Sequence, residues 1–242
     1  MSLERIDKLL ASQGTASRSD VKKFIYKGRV TVNGTIIKQC NYKVNTDTDT
    51  VAVDGDTLEI NKHIYLMMNK PAGVVCATKD KTDTTVIDLI PLKYKRKGLF
   101  PVGRLDKDTE GLLIITDDGD FAHRVTSPRK KVYKTYHAVI DSYINKEDIA
   151  EFEKGIVFKD GTVCEKAFLR QLNDDKTPLV EVKICEGMFH QVKKMLLTRG
   201  KRVIYLKRVA IGNLKMDDTI NKSEVKQLSF LDINNIFVDE MH

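Results

Sequence analysis

Tryptophan is absent from this 242-residue chain, so a hydrophobic core must rely on Leu, Ile, Val, Phe and Met. None of the four cysteines, Cys40, Cys76, Cys164 and Cys185, forms a Cys-x-x-Cys pair, and none has a histidine at zinc-ligand spacing. They read as free thiols of a reducing compartment. No apolar run reaches membrane-spanning length and no signal-like start is present, so a cytoplasmic protein without a membrane partner is expected. A glycine-rich phosphate loop, an internal repeat and low-complexity tracts are also missing.

What is present is an ordinary globular balance, 41% hydrophobic and 31% charged. The length suits one large or two modest domains. A net charge of +7 favours a polyanionic partner through counterion release, although many basic proteins bind none. Its distribution says more. The first 40 residues hold eight basic and three acidic side chains, an excess of +5.

Leu3, Ile6, Leu9 and Leu10 have helical spacing, predicting a helix over 3–12 that Gly14 ends. Ser17 to Asp20 has the form of a capping box for a second helix, with Val21, Phe24 and Ile25 inward and Gly28 at its end. Asn33-Gly34 between two β-branched runs predicts a tight hairpin. Residues 40–60 are polar and are predicted to hold one or two short strands, with a domain boundary near 60. Further on, strands are predicted at 64–68, 112–116, 136–140, 179–185 and 202–206, and helices at 145–154 and 190–199. The pattern is α+β, not regular βαβ alternation. The tail after about residue 231 is expected to be weakly ordered.

One polar loop, Gly103-Arg104-Leu105-Asp106-Lys107-Asp108-Thr109, lies between apolar stretches. By residue type alone, Asp106, Asp108, Asp117 and Asp118 read as turn formers. Tyr136 likewise reads as a core tyrosine, and Lys193 as a solvated residue early in a helix, where the dipole disfavours a cation.

The helix-helix-hairpin opening, Leu3 to Ala11 followed by Ser17-Arg18-Ser19-Asp20 and Gly28-Arg29-Val30-Thr31-Val32-Asn33-Gly34, resembles the S4 RNA-binding domain over roughly residues 3–55. That resemblance implies a surface that grips structured RNA through its phosphates, with Arg5, Arg18, Lys22, Lys27 and Arg29 on it. Such contacts position an RNA without reading its sequence. Gly103-Arg104-Leu105-Asp106-x-x-Thr109-x-Gly111-Leu112-Leu113 resembles the catalytic loop of the pseudouridine synthases. Lys134-Thr135-Tyr136 resembles their second motif, and Glu186-Gly187-Met188-Phe189-His190-Gln191-Val192-Lys193-Lys194-Met195 their third. Asp117-Asp118-Gly119, the stretch from Ala122 to Arg129 and the leading S4-like segment narrow the resemblance to the RsuA type. That branch modifies one uridine of small-subunit (16S) ribosomal RNA. The similarity runs over nearly the whole chain.

The resemblance implies a small S4-like α/β domain in residues 1–60 and, in residues 61–242, a catalytic domain on a mixed, mainly antiparallel sheet. Asp106 would be the catalytic carboxylate, Tyr136 would stack on the target base, and Lys193 would pair with Asp106. Arg104 would support the flipped nucleotide, with His190 and Gln191 in supporting roles. Arg129, and more broadly the basic runs 93–97 and 129–131, are further RNA-contact candidates. In the reaction, uracil is cut from its ribose, rotated and rejoined through carbon. No redox or phosphoryl step occurs, so no cofactor and no metal are expected, in keeping with the missing motifs. Two departures stand out: Met188 occupies a position often basic in the family, and Lys193 one where many relatives elsewhere in the superfamily carry Arg. The expected partner is ribosomal RNA or an assembling small subunit, met by a monomer. The alternatives are the same reaction on large-subunit (23S) ribosomal RNA, or a non-catalytic RNA-binding assembly factor.

Overall fold

The computed structural model describes residues 3–13, 16, 18–58, 63–173 and 177–238. Backbone packing divides the chain into two units, Met1–His63 with Ile90–Leu99, and Ile64–Leu89 with Phe100–His242.

In the first unit, helices Ile6–Ser12 and Arg18–Tyr26 pack beside a sheet ordered Thr35–Ile36, Val30–Val32, Val51–Val53, Asp56–Thr57. Ile6, Leu9, Leu10, Val21, Ile25, Val30, Val44 and Val51 form its core. Each fully buried side chain of this size contributes about 1.5–3 kcal/mol. The hairpin expected at Asn33-Gly34 is present, with φ of +50° and +78° at the two residues. A left-handed pair of this kind matches the twist of the flanking strands. The first helix begins later than its apolar spacing suggests. Leu3–Arg5 is instead a short strand paired with Lys43–Asn45, and Leu3 is exposed. The pairing satisfies backbone groups that a first helical turn would leave open. Gly14 and Ser17, read as helix punctuation, lie outside the described residues.

The second unit is built on one sheet, nine-stranded among the described residues. Its main path runs Phe168–Gln171, Leu179–Ile184, Lys134–Ile140, Val203–Ile211, Glu110–Thr116, Tyr65–Lys70, Val225–Gln227. Val203–Ile211 and Glu110–Thr116 pair in parallel and the other pairs are antiparallel, so the sheet is mixed and mainly antiparallel, as expected. Glu110–Thr116 lies at its centre with every residue buried. A strand covered on both faces reads as a continuous apolar run, which Leu112 to Ile115 supplies. Val203–Ile211 runs well past the predicted strand because Lys207 and Arg208 interrupt its apolar pattern. Arg208 is nonetheless buried, its Nε donating to the Leu112 carbonyl at 2.8 Å.

Helices Gly119–Thr126 and Phe230–Asn235 contribute to a core with Met67, Leu112, Ile114, Phe121, Ile211 and Ile233. The second of them corrects the expectation of a weakly ordered tail from residue 231 as far as residue 238; residues 239–242 lie outside the described residues. Ser229 and Asp232 form a reciprocal capping box, and Ile233 and Ile236 are buried. Gly212, at φ +52°, lets the Ile236 carbonyl approach so closely that a Cβ would overlap it. Gly212→Ala is therefore expected to lower the free energy of unfolding by roughly 2 kcal/mol. Urea denaturation measures this, and an unchanged midpoint would show that the helix is not seated there.

Candidate active site

Asp106 sits in the loop that joins Phe100–Pro101 to Glu110–Thr116, two strands paired with each other. The loop is fixed from beneath by a residue that reading the sequence missed. Lys70 ends its strand fully buried, and its Nζ donates to the carbonyls of Pro71 (3.0 Å), Asp106 (3.1 Å), Lys107 (3.3 Å) and Thr109 (2.9 Å). An ammonium has three protons, so the four carbonyls share them. Burial lowers the Lys70 pKa. Asp106 and Asp108 raise it, but the contacts within reach are carbonyl dipoles. The strand predicted at 64–68 stops short of Lys70 and gives it no role. The signal lay in a lysine closing the apolar run Tyr65 to Met68. Gly111 is needed beside this loop because a Cβ there would overlap the Arg208 backbone on the parallel neighbour.

Lys193 lies in the first turn of helix Gln191–Thr198, and its Nζ reaches back to the loop. It is 3.1 Å from Asp106 Oδ2 and 2.6 Å from Asp108 Oδ1. Burial lowers the Lys193 pKa, but the two carboxylates together outweigh it and the net shift is upward. Asp108 is held below the ordinary carboxylate range, chiefly by its hydrogen bond from Lys193. The turn reading of Asp108 was therefore incomplete, because its charge shares the lysine with Asp106. The dipole objection to Lys193 is also answered: two carboxylates gather at that helix end, where negative charge is favoured.

A cleft of about 60 Å³ includes Arg104, Asp106, Tyr136, Met188, Gln191 and Lys193 in its lining. Tyr136 is buried in the central sheet with only 8% of its surface exposed, while Arg104 is exposed at the rim. His190 adopts a left-handed backbone at φ +54°, a conformation costing on the order of 1 kcal/mol in a non-glycine residue. Its Nε2 lies 3.6 Å from Asp106 Oδ1. Gln191 is buried, donates to Glu186, and accepts from the Met188 amide at 2.9 Å. That network holds the turn carrying the third motif.

Lys134, the first residue of the second motif, serves the fold. Its Nζ donates to the Val125 carbonyl at 2.9 Å, in the last turn of helix Gly119–Thr126. Burial, then Arg208, brings its pKa down to about 8. The unfolded chain keeps this proton to a higher pH than the folded one. Stability from this residue therefore rises as pH climbs from about 8 to 10. The stability difference between wild type and Lys134→Met should grow over that window by about 1 kcal/mol per pH unit in urea titrations. A flat difference would contradict the burial assigned to Lys134.

Arg129 is exposed in the turn Pro128–Lys130 and does not line the cleft. In the first unit, Lys22 and Lys27 are exposed. Arg5 is paired with Asp7 at 2.7 Å, and Arg29 with Asp54 while lying over the Phe24 ring. Arg18 opens the second helix, and its side chain lies outside the described residues. Among the described residues, no group of His, Cys, Asp or Glu could hold a metal ion and no helix is long and apolar enough to cross a membrane.

This loop-and-strand site coincides with a known family. Residues 64–198 match the model for RNA pseudouridylate synthase, and residues 4–51 match the S4 domain. The chain belongs to the RNA pseudouridylate synthase family and is an RNA-modifying isomerase with an S4 domain. It is 42% identical over 227 residues to an uncharacterized RNA pseudouridine synthase of Bacillus subtilis, covering 93% of this chain and 95% of that one. It is 37% identical over 237 residues to ribosomal small subunit pseudouridine synthase A of Salmonella typhimurium, covering 96% and 99%. A crystal structure of a pseudouridylate synthase superposes with a TM-score of 0.66 at 32% identity, covering 96% and 99%.

Proposed function

We propose that this chain converts one uridine of small-subunit ribosomal RNA to pseudouridine without a cofactor, with Asp106 as the catalytic carboxylate. The observation that carries the reading is the ion pair between Asp106 and Lys193 in a cleft that also holds Tyr136. Lys193 fixes the Asp106 carboxylate at the cleft through a charge-assisted contact. A carboxylate held there suits nucleophilic or general-base work on the nucleotide. Tyr136 offers a π surface to a base flipped from its stack. Arg104 at the rim supports the flipped nucleotide, and Met188 leaves that rim without the basic side chain common in the family.

The names of the relatives from Salmonella typhimurium and Escherichia coli, at 37% and 35% identity, favour the small subunit as substrate. Residues 1–60 act as the RNA grip through Arg5, Arg18, Lys22, Lys27 and Arg29, and residues 61–242 as the catalytic domain. Arg5 and Arg29 must exchange their carboxylate partners for phosphates. The protein works in the cytoplasm as a monomer.

Lys193→Met is expected to lower single-turnover rate about 30-fold, from loss of a charge-assisted contact of about 2 kcal/mol. Lys193→Arg should recover most of that rate; equal rates in wild type and Lys193→Met would remove the ion pair from the mechanism. The function itself is tested by incubating purified protein with full small- and large-subunit transcripts and mapping pseudouridine chemically. One modified site in the small-subunit transcript supports the proposal. A site in the large-subunit transcript corrects the substrate, and tight binding with no modification would favour an assembly factor.

A further inference from the structure

The strands that build the catalytic cleft carry a second set of side chains on their opposite face. Tyr136, Ile184 and Leu206 line the cleft, whereas their chain neighbours His137, Lys183 and Lys207 line a separate hollow. Successive residues of a strand point to opposite faces, so this hollow is on the reverse of the sheet. Thr135 sits opposite Lys183, and His137 is flanked by Glu181 and Lys207. Two abutting hollows of about 880 and 850 Å³ share Thr135, Arg170, Glu181, Lys183, Gly212 and Asn213, and both are far larger than the cleft of about 60 Å³.

The charge on this face is lopsided. Lysines and arginines outnumber acidic residues seven to three along the two linings. Of the acids, Glu181 is already engaged by Arg170 at 3.1 Å, with His137 at 3.7 Å. Lys130 and Lys131, from the basic run 129–131 expected to contact RNA, line this groove and not the cleft. Phe168 lies among the cations, 46% exposed, its ring 5.7 Å from that of Tyr133. Cations beside an accessible aromatic ring suit a strand with phosphates and unstacked bases. A duplex keeps its bases stacked, and an acidic peptide has no need of the ring.

We propose that this reverse face binds a second, single-stranded segment of the RNA substrate, with phosphates on Lys131, Lys183 and Lys207 and a base on Phe168. The inference rests on the RNA substrate assigned above. Its consequence is that affinity for long RNA is divided between the S4 unit and the back of the catalytic sheet.

The test uses the full-length protein and whichever ribosomal transcript the wild type modifies. Lys131→Glu, Lys183→Glu and Lys207→Glu are combined, with a matching triple Gln variant and a separate Phe168→Ala. At about 0.1 M salt, the triple Glu variant should bind at least about tenfold more weakly. For three lost phosphate contacts, both triple variants should show a plot of log affinity against log salt shallower by about 2. The single-turnover rate at saturating RNA should stay within about twofold of wild type, because the Asp106 cleft is intact. Phe168→Ala should weaken binding at least fivefold without changing the salt slope, as expected for loss of a stacked base. Wild-type affinity and slope in a triple variant with a wild-type urea midpoint would overturn the proposal and leave an acidic protein as the occupant. Unchanged affinity in Phe168→Ala would overturn the single-stranded assignment. Failure of the wild type to modify any ribosomal transcript sinks the functional reading and is visible before any variant is made. A wild type that binds no RNA overturns both.

Discussion

Asp106→Asn is expected to lower turnover by on the order of 10⁴-fold or more while RNA affinity stays within about twofold. The change is isosteric and removes one charge. Lys193 retains Asp108 at 2.6 Å, so the helix end stays occupied and the loop is not left with a bare buried cation. Lys70 contacts the Asp106 carbonyl, not its side chain, so the loop backbone remains clamped. The loss should therefore fall on the rate, not on folding. Single-turnover assays with excess protein separate the two, together with binding to the same transcript. Turnover within tenfold of wild type would remove Asp106 from the chemistry, whatever the family resemblance says.

Lys70→Met should cost both stability and rate. The substitution keeps the buried length of the side chain but leaves the carbonyls of Pro71, Asp106, Lys107 and Thr109 without their shared ammonium. Relief of the charge's own desolvation offsets part of this, so the net loss of stability is about 3 kcal/mol. The loop can then drift, and a misplacement of roughly 1 Å is worth about 10²-fold in rate. The expected pattern is a lowered urea midpoint and a kcat reduced on the order of 10²-fold, with KM little changed. A stable variant with normal kcat would show that the loop is held by its hairpin strands alone.

Much of the fold was legible because its signals are local. The Asn33-Gly34 hairpin rests on two adjacent residues that tolerate a left-handed backbone. The helix Lys146–Lys154 is announced by Asn145 and Asp148, which form the reciprocal cap. The elements that were missed depend on distant partners. Leu3–Arg5 becomes a strand only because Lys43–Asn45 lies beside it. Phe230–Asn235 is short, and its stability comes from Ile233 and Ile236 entering a core assembled from distant strands.

The site divides in the same way. Asp106, Tyr136 and Lys193 were picked out by motif resemblance, since residue type alone made them a turn former, a core residue and a solvated lysine. All three line one cleft. Lys70 and Asp108 were not found, because their roles arise from a lysine buried under a loop 36 residues away and from a carboxylate sharing a cation 85 residues away. Of the basic run 129–131, expected as an RNA contact, Lys130 and Lys131 line the groove on the reverse face of the sheet and not the cleft.

The most direct measurement is a pseudouridine map of ribosomal RNA from cells with and without the gene, read by a chemistry specific for the modified base. The expected result is loss of a single small-subunit site, restored by the wild-type gene and not by Asp106→Asn. An unchanged map from cells lacking the gene would contradict the assignment of ribosomal RNA as the substrate.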